Sequence, residues 1–167
     1  MAKPRLEIHD DTFIHTGSSL SGEIVFGAGT VVHPYAVINA GEGKIIFGNN
    51  NIIEELCHIE NKDPSKVMII GNDNLFEVGT ECHAVAVGNN NVFCIKSKVG
   101  DKVQVTDGCV IGPKCIVMSK EVLPPKTVVY GEGNNRRTAM STNNSLKQHC
   151  ELLQTKLRNF SQAYKNA

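Results

Sequence analysis

Ile70-Gly71-Asn72-Asp73-Asn74-Leu75-Phe76-Glu77 decides how this chain folds, because close variants of the same phrase flank it on both sides. Phe47-Gly48-Asn49-Asn50-Asn51-Ile52-Ile53-Glu54 precedes it, and Val87-Gly88-Asn89-Asn90-Asn91-Val92-Phe93 follows. In each, a large apolar residue and a glycine lead into an Asn-rich corner, and a second apolar residue stands six positions after the first. Self-similarity at so short a spacing is the mark of a repeat architecture and has to be read before any single motif.

Counting outward in sixes extends the pattern. Ile8, Ile14, Leu20, Phe26, Val32 and Ile38 lead to a three-residue shift, then Phe47, Ile53 and Ile59. An eleven-residue step reaches Ile70, Phe76 and Cys82, and a five-residue step reaches Val87. Phe93, Val99, Val105, Ile111, Val117, Leu123 and Val129 follow without a break. All 20 positions are apolar in a chain that is 41% apolar. Chance gives about 10⁻⁸, and the choice of register and shifts returns only a few powers of ten.

The fourth residue after each mark is usually small, as at Thr12, Ser18, Thr30, Asn51, Cys57, Thr80, Ser97 and Cys115. Large, then often glycine, then small at the fifth place is the hexapeptide signature of a parallel β-helix. Three short strands and three tight corners make one triangular coil, with glycine and asparagine supplying left-handed backbone at the corners. Taken three at a time, the hexads stack Ile8, Phe26, Phe47, Ile70, Val87, Val105 and Leu123 in one column. The irregular steps predict loops around residues 39–44 and 60–66.

The period of six ends after Tyr130-Gly131. Leu146, Cys150, Leu153, Leu157, Phe160 and Tyr164 then recur at alternating steps of four and three, the apolar stripe of a helix. The fold class expected is an all-β solenoid with a C-terminal α-helix: prism over 8–131, linker over 132–143, helix over 144–165. That stripe either folds back onto its own prism or docks on a partner subunit, and its six residues are the candidate interaction site.

Lysine plus arginine equals aspartate plus glutamate, 17 each, so the net charge is zero. A neutral chain has no electrostatic case for nucleic acid or an anionic membrane. No apolar run approaches the roughly 18 residues of a membrane span, and Met1-Ala2-Lys3-Pro4-Arg5 opens no secretory signal, so a soluble intracellular protein is expected. The six cysteines contain no CxxC pair and read as reduced apolar fillers.

Solenoids of this type include acyltransferases with a histidine base and zinc-dependent gamma-class carbonic anhydrases, so His9, His15, His33, His58, His83 and His149 need weighing. Against the anhydrase pattern, His83 falls on one ligand position before Val87-Gly88-Asn89, but its partner position is Val78. The third position is Glu60, and His58 lies two residues short of it. With one ligand of three in place, no metal or cofactor is expected, and His83 reads as a corner residue. His15 and His33, stacked one coil apart, read as exposed surface histidines. Glu54, Glu55, Glu60 and Glu77 read as a solvated acidic surface.

Met68-Ile69-Ile70-Gly71-Asn72-Asp73-Asn74-Leu75-Phe76-Glu77-Val78-Gly79 and Val122-Leu123-Pro124-Pro125-Lys126-Thr127-Val128-Val129-Tyr130-Gly131 carry a more specific likeness. With Gly108-Cys109-Val110-Ile111-Gly112 and Arg136-Arg137, they resemble the dynactin subunit 6 family over roughly residues 24–140 and the trailing helix. The resemblance implies a left-handed parallel β-helix and a non-catalytic structural or adaptor role in the dynactin pointed-end complex, supporting dynein cargo binding and microtubule-based transport. It implies dynactin subunit 5 as heterodimer partner, the pointed-end actin-related protein and other dynactin subunits as neighbours, dynein as an indirect one, and a place in the cytoplasm on the cytoskeleton. A gamma-class anhydrase or a hexapeptide acyltransferase is the alternative. The Pro- and acid-rich loop frequent in that family is reduced here to residues 60–66.

Overall fold

The computed structural model describes residues 3–141 and 143–158. Its body is a parallel β-solenoid in which every marked hexad position points inward. The column expected from the sequence is realised pair by pair: Ile8 beside Phe26, Phe26 beside Phe47, Phe47 beside Ile70, Ile70 beside Val87, Val87 beside Val105, and Val105 beside Leu123. Phe26 stacks on Phe47 with ring centroids 5.1 Å apart, and Phe76 on Phe93 at 4.5 Å. Stacking identical rings along the tube axis fills the interior where one flat layer repeats on the next.

The prism has three faces. The first carries Val67–Ile70, Ala86–Val87, Val103–Val105 and Glu121–Leu123. The second carries Phe13–Ile14, Val31–Val32, Ile52–Ile53, Leu75–Phe76, Val92–Phe93, Val110–Ile111 and Thr127–Tyr130. The third carries His58–Glu60, Glu81–Cys82, Lys98–Val99 and Ile116–Val117. The strands Ser19–Phe26 and Val37–Phe47 pass round one corner unbroken and join the third face to the first. The loop expected at 39–44 is therefore strand instead. Its extra residues are absorbed as a bulge, since Ser21 pairs with Asn39 but Glu23 with Lys44.

The corners divide their work in a way the repeat did not reveal. Left-handed backbone falls on the middle residue, at Asn50 (φ 55°), Asp73 (57°) and Asn90 (57°), not on the glycine two places earlier. Gly48, Gly71 and Gly88 serve closeness instead. A Cβ on Gly71 would lie 2.5 Å from the carbonyl oxygen of Gly88 on the next coil. The last residue of each corner turns inward: Asn51, Asn74 and Asn91 are buried and bonded in a ladder. Asn74 Nδ2 donates to Asn51 Oδ1 (3.1 Å), and Asn91 Nδ2 to Asn74 Oδ1 (3.0 Å).

All six cysteines are free thiols, as expected. Burial pushes Cys57 and Cys82 up to about 12, so neither is a thiolate at neutral pH.

Within 132–143, Asn135–Thr138 forms a strand that runs antiparallel to Thr127–Tyr130. The helix spans Lys147–Arg158 and lies on the second face. Cys150 is buried in a cluster with Phe13, Val31 and Ile52, against which Leu75, Leu146, Leu153 and Leu157 pack. In its described part the stripe packs against its own prism. Phe160 and Tyr164 lie outside the described residues.

Candidate functional site

On the third face, strand alternation sends Ile59 inward, fully buried, and His58 and Glu60 outward together. The next coil sits in strict register, with His58 beside Glu81 and Ile59 beside Cys82. One step further brings His83 next to Glu60. The three side chains converge: His58 Nε2 is 3.3 Å and His83 Nε2 3.9 Å from the same carboxylate oxygen, Glu60 Oε2. Their rings meet edge to face at 5.6 Å. His58 lies two residues from the position that spacing assigned to a ligand, which Glu60 occupies, and the two side chains meet there at 3.3 Å.

Lys62 completes the group, its Nζ 2.9 Å from Glu60 Oε2. Partial burial works against charge on Glu60, but Lys62 and the two histidines outweigh it and hold the carboxyl below its usual range. Burial, with Lys62 reinforcing it, lowers His83 and favours the neutral ring. Its Nε2 is buried without a hydrogen-bond partner. A cleft of about 330 Å³ opens beside His83, lined among others by Lys62, Pro64, Met68, Val85 and Lys102.

The other singled-out residues are placed differently from their reading. His33 is a corner residue only 12% exposed, with Nδ1 3.0 Å from Glu55 Oε1, rather than a surface histidine. His15 is half-buried, and its Nδ1 accepts from the Gly17 backbone at 2.8 Å. Nor do Glu54 and Glu77 form a solvated cluster. Glu54 Oε2 accepts the Val78 amide (3.0 Å) and Glu77 Oε2 the Ile95 amide (2.9 Å), each satisfying a corner of the next coil. Lys62 carried no signal in the repeat, because the eleven-residue step removed it from any register.

A second polar cluster ties the helix down. Ser145 Oγ and the Leu146 amide both donate to Asp73 Oδ1 at 2.9 Å. Asn143 Nδ2 donates to the Asn90 carbonyl (2.8 Å) and Gln154 Nε2 to that of Asp11 (2.6 Å).

These features define the class: a hexapeptide-repeat protein with a left-handed parallel β-helix and a docked C-terminal helix. A hexapeptide transferase family protein from Anaplasma phagocytophilum shares the fold, with a TM-score of 0.76 over 94% of this chain and 96% of that one at 15% identity. No family model matches the sequence. Dynactin subunit 6 of Nematostella vectensis is 43% identical over 143 residues, covering 80% of this chain and 78% of that protein. Dynactin subunit 6 of Caenorhabditis elegans is 33% identical over 159 residues, covering 95% and 88%. The chain belongs to the dynactin subunit 6 family.

Proposed function

We propose that the protein is a structural subunit of dynactin, binding a second β-helical subunit, dynactin subunit 5, at the pointed end of the complex beside the actin-related protein that caps it. Its role in dynein cargo binding and microtubule-based transport, in the cytoplasm, is then exercised through the assembly. The observation that carries the reading is the family likeness across most of the chain's length. A non-catalytic role accords with His33, paired to Glu55, and with Glu54 and Glu77, which accept backbone amides of the next coil.

We assign the partner to the first face. Its outward row runs in register through Val25, Ile46, Ile69, Ala86, Gln104 and Val122, apolar at all but one place. Ile69 and Val122 are 53% and 58% exposed. A second prism built on the same rise between coils presents rows that match it. Co-expression with subunit 5 tests this. The wild type should give a stable one-to-one complex, and Ile69→Lys with Val122→Lys should lose it while keeping the monomer's circular dichroism. No complex for the wild type sinks the reading; a complex untouched by the double variant moves the partner to another face.

A further inference from the structure

We propose that His58, Glu60 and His83 bind one divalent cation of the zinc type. One ligand atom from each lies within 4.8 Å of the others, on two coils held in register. A tetrahedral ion with bonds of about 2.0–2.2 Å sets its ligands about 3.3–3.6 Å apart. The separations of 3.3 and 3.9 Å to Glu60 Oε2 therefore close by ring rotation, with no movement of the strands. The frame is rigid, because the intervening Ile59 and the adjoining Cys82 are fully buried in the prism. His83 Nε2, buried and without a hydrogen-bond partner, is the atom an ion would satisfy.

The donor set selects the ion. Two imidazole nitrogens and one carboxylate oxygen suit zinc, cobalt or nickel, whereas calcium and magnesium call for oxygen throughout. The cleft beside His83, lined also by Lys62, gives solvent a way to that side of the group. Lys62 is the built-in competitor: its ammonium bonds the same oxygen, on a side chain 43% exposed that is free to swing outward. The site is independent of the dynactin reading, since it uses the third face and needs no partner.

Cobalt(II) chloride titrated into the full-length reduced protein is the test, because the visible spectrum distinguishes nitrogen and oxygen ligation from thiolate. We expect one equivalent bound with a tetrahedral ligand-field spectrum, no thiolate charge-transfer band, and displacement by zinc chloride. His58→Ala and His83→Ala should each weaken binding at least about tenfold, and Lys62→Met should tighten it several-fold. Circular dichroism without metal checks that each variant is folded. Three results would overturn the proposal: no spectrum with either the wild type or Lys62→Met, a thiolate band, or binding indifferent to His83→Ala in a folded protein.

Discussion

At the scale of single residues, the corner asparagines show how one amino-acid type repeated three times does three jobs. The first aligns a backbone amide across coils, as where the Asn49 amide donates to Asn72 Oδ1 at 2.7 Å. The second adopts left-handed backbone, and the third bonds within the core. Asn74 is the most heavily used of the third kind. Its amide side chain bonds Asn51 Oδ1 and the Gly88 carbonyl, and its Oδ1 accepts both the backbone and side-chain nitrogens of Asn91. Asn74→Ala strands several buried polar groups at once, at about 1–3 kcal/mol each before relaxation. We expect a loss of about 3 kcal/mol, read as a lower urea midpoint with an unchanged slope. At this scale the sequence was half legible. The repeat located the corners, but whether glycine there serves left-handed backbone or a close approach depends on the neighbouring coil, which no local pattern encodes.

Elements are held by contacts between segments far apart in sequence. The helix is short and its stripe alone would be marginal in water. What fixes it is the apolar patch of Phe13, Val31 and Ile52 on the second face and the Asp73 carboxylate at its start. Cys150→Glu sets an unpaired charge against that patch. Limited proteolysis should then cleave after about residue 143, while the prism stays intact. At the other end of the second face, Arg136 grips the Glu121 carboxylate with both guanidinium nitrogens. That bond holds Glu121 below the usual carboxylate range. A lowered folded-state value means stability present above about pH 4.3 and lost as pH falls through the folded value. Arg136→Met should therefore cost up to about 1 kcal/mol at pH 7 and nothing at pH 2, compared by urea titration. The 3.5-residue stripe foretold the helix, but the strand Asn135–Thr138 has no apolar alternation to announce it; all four residues are exposed.

For the whole molecule, stability is a sum over stacked neighbours, so damage in the middle divides the stack in two. Phe76 is fully buried and stacked on Phe93. Phe76→Asp buries an unpaired charge at the tube's centre, and the protein should fail to fold, giving an unfolded spectrum and capture by aggregation. The global architecture was the most legible level, because period-six burial is written at every coil. The candidate cation site was the least legible. All three of its ligands were weighed one by one against a fixed spacing, whereas the folded site depends on the register that sets His83, 25 positions after His58, on the adjoining coil. That interval contains the eleven-residue step from Ile59 to Ile70, so counting alone could not show that the rings would meet.

The antiparallel strand Asn135–Thr138 has a bearing on growth of the stack. A solenoid whose last coil offers a parallel edge invites another copy to continue it indefinitely. Here the chain doubles back on Thr127–Tyr130, so the next backbone in line runs the wrong way and carries Arg136 and Arg137. The second face thus has a stop at this end, and a further parallel strand cannot simply continue that sheet.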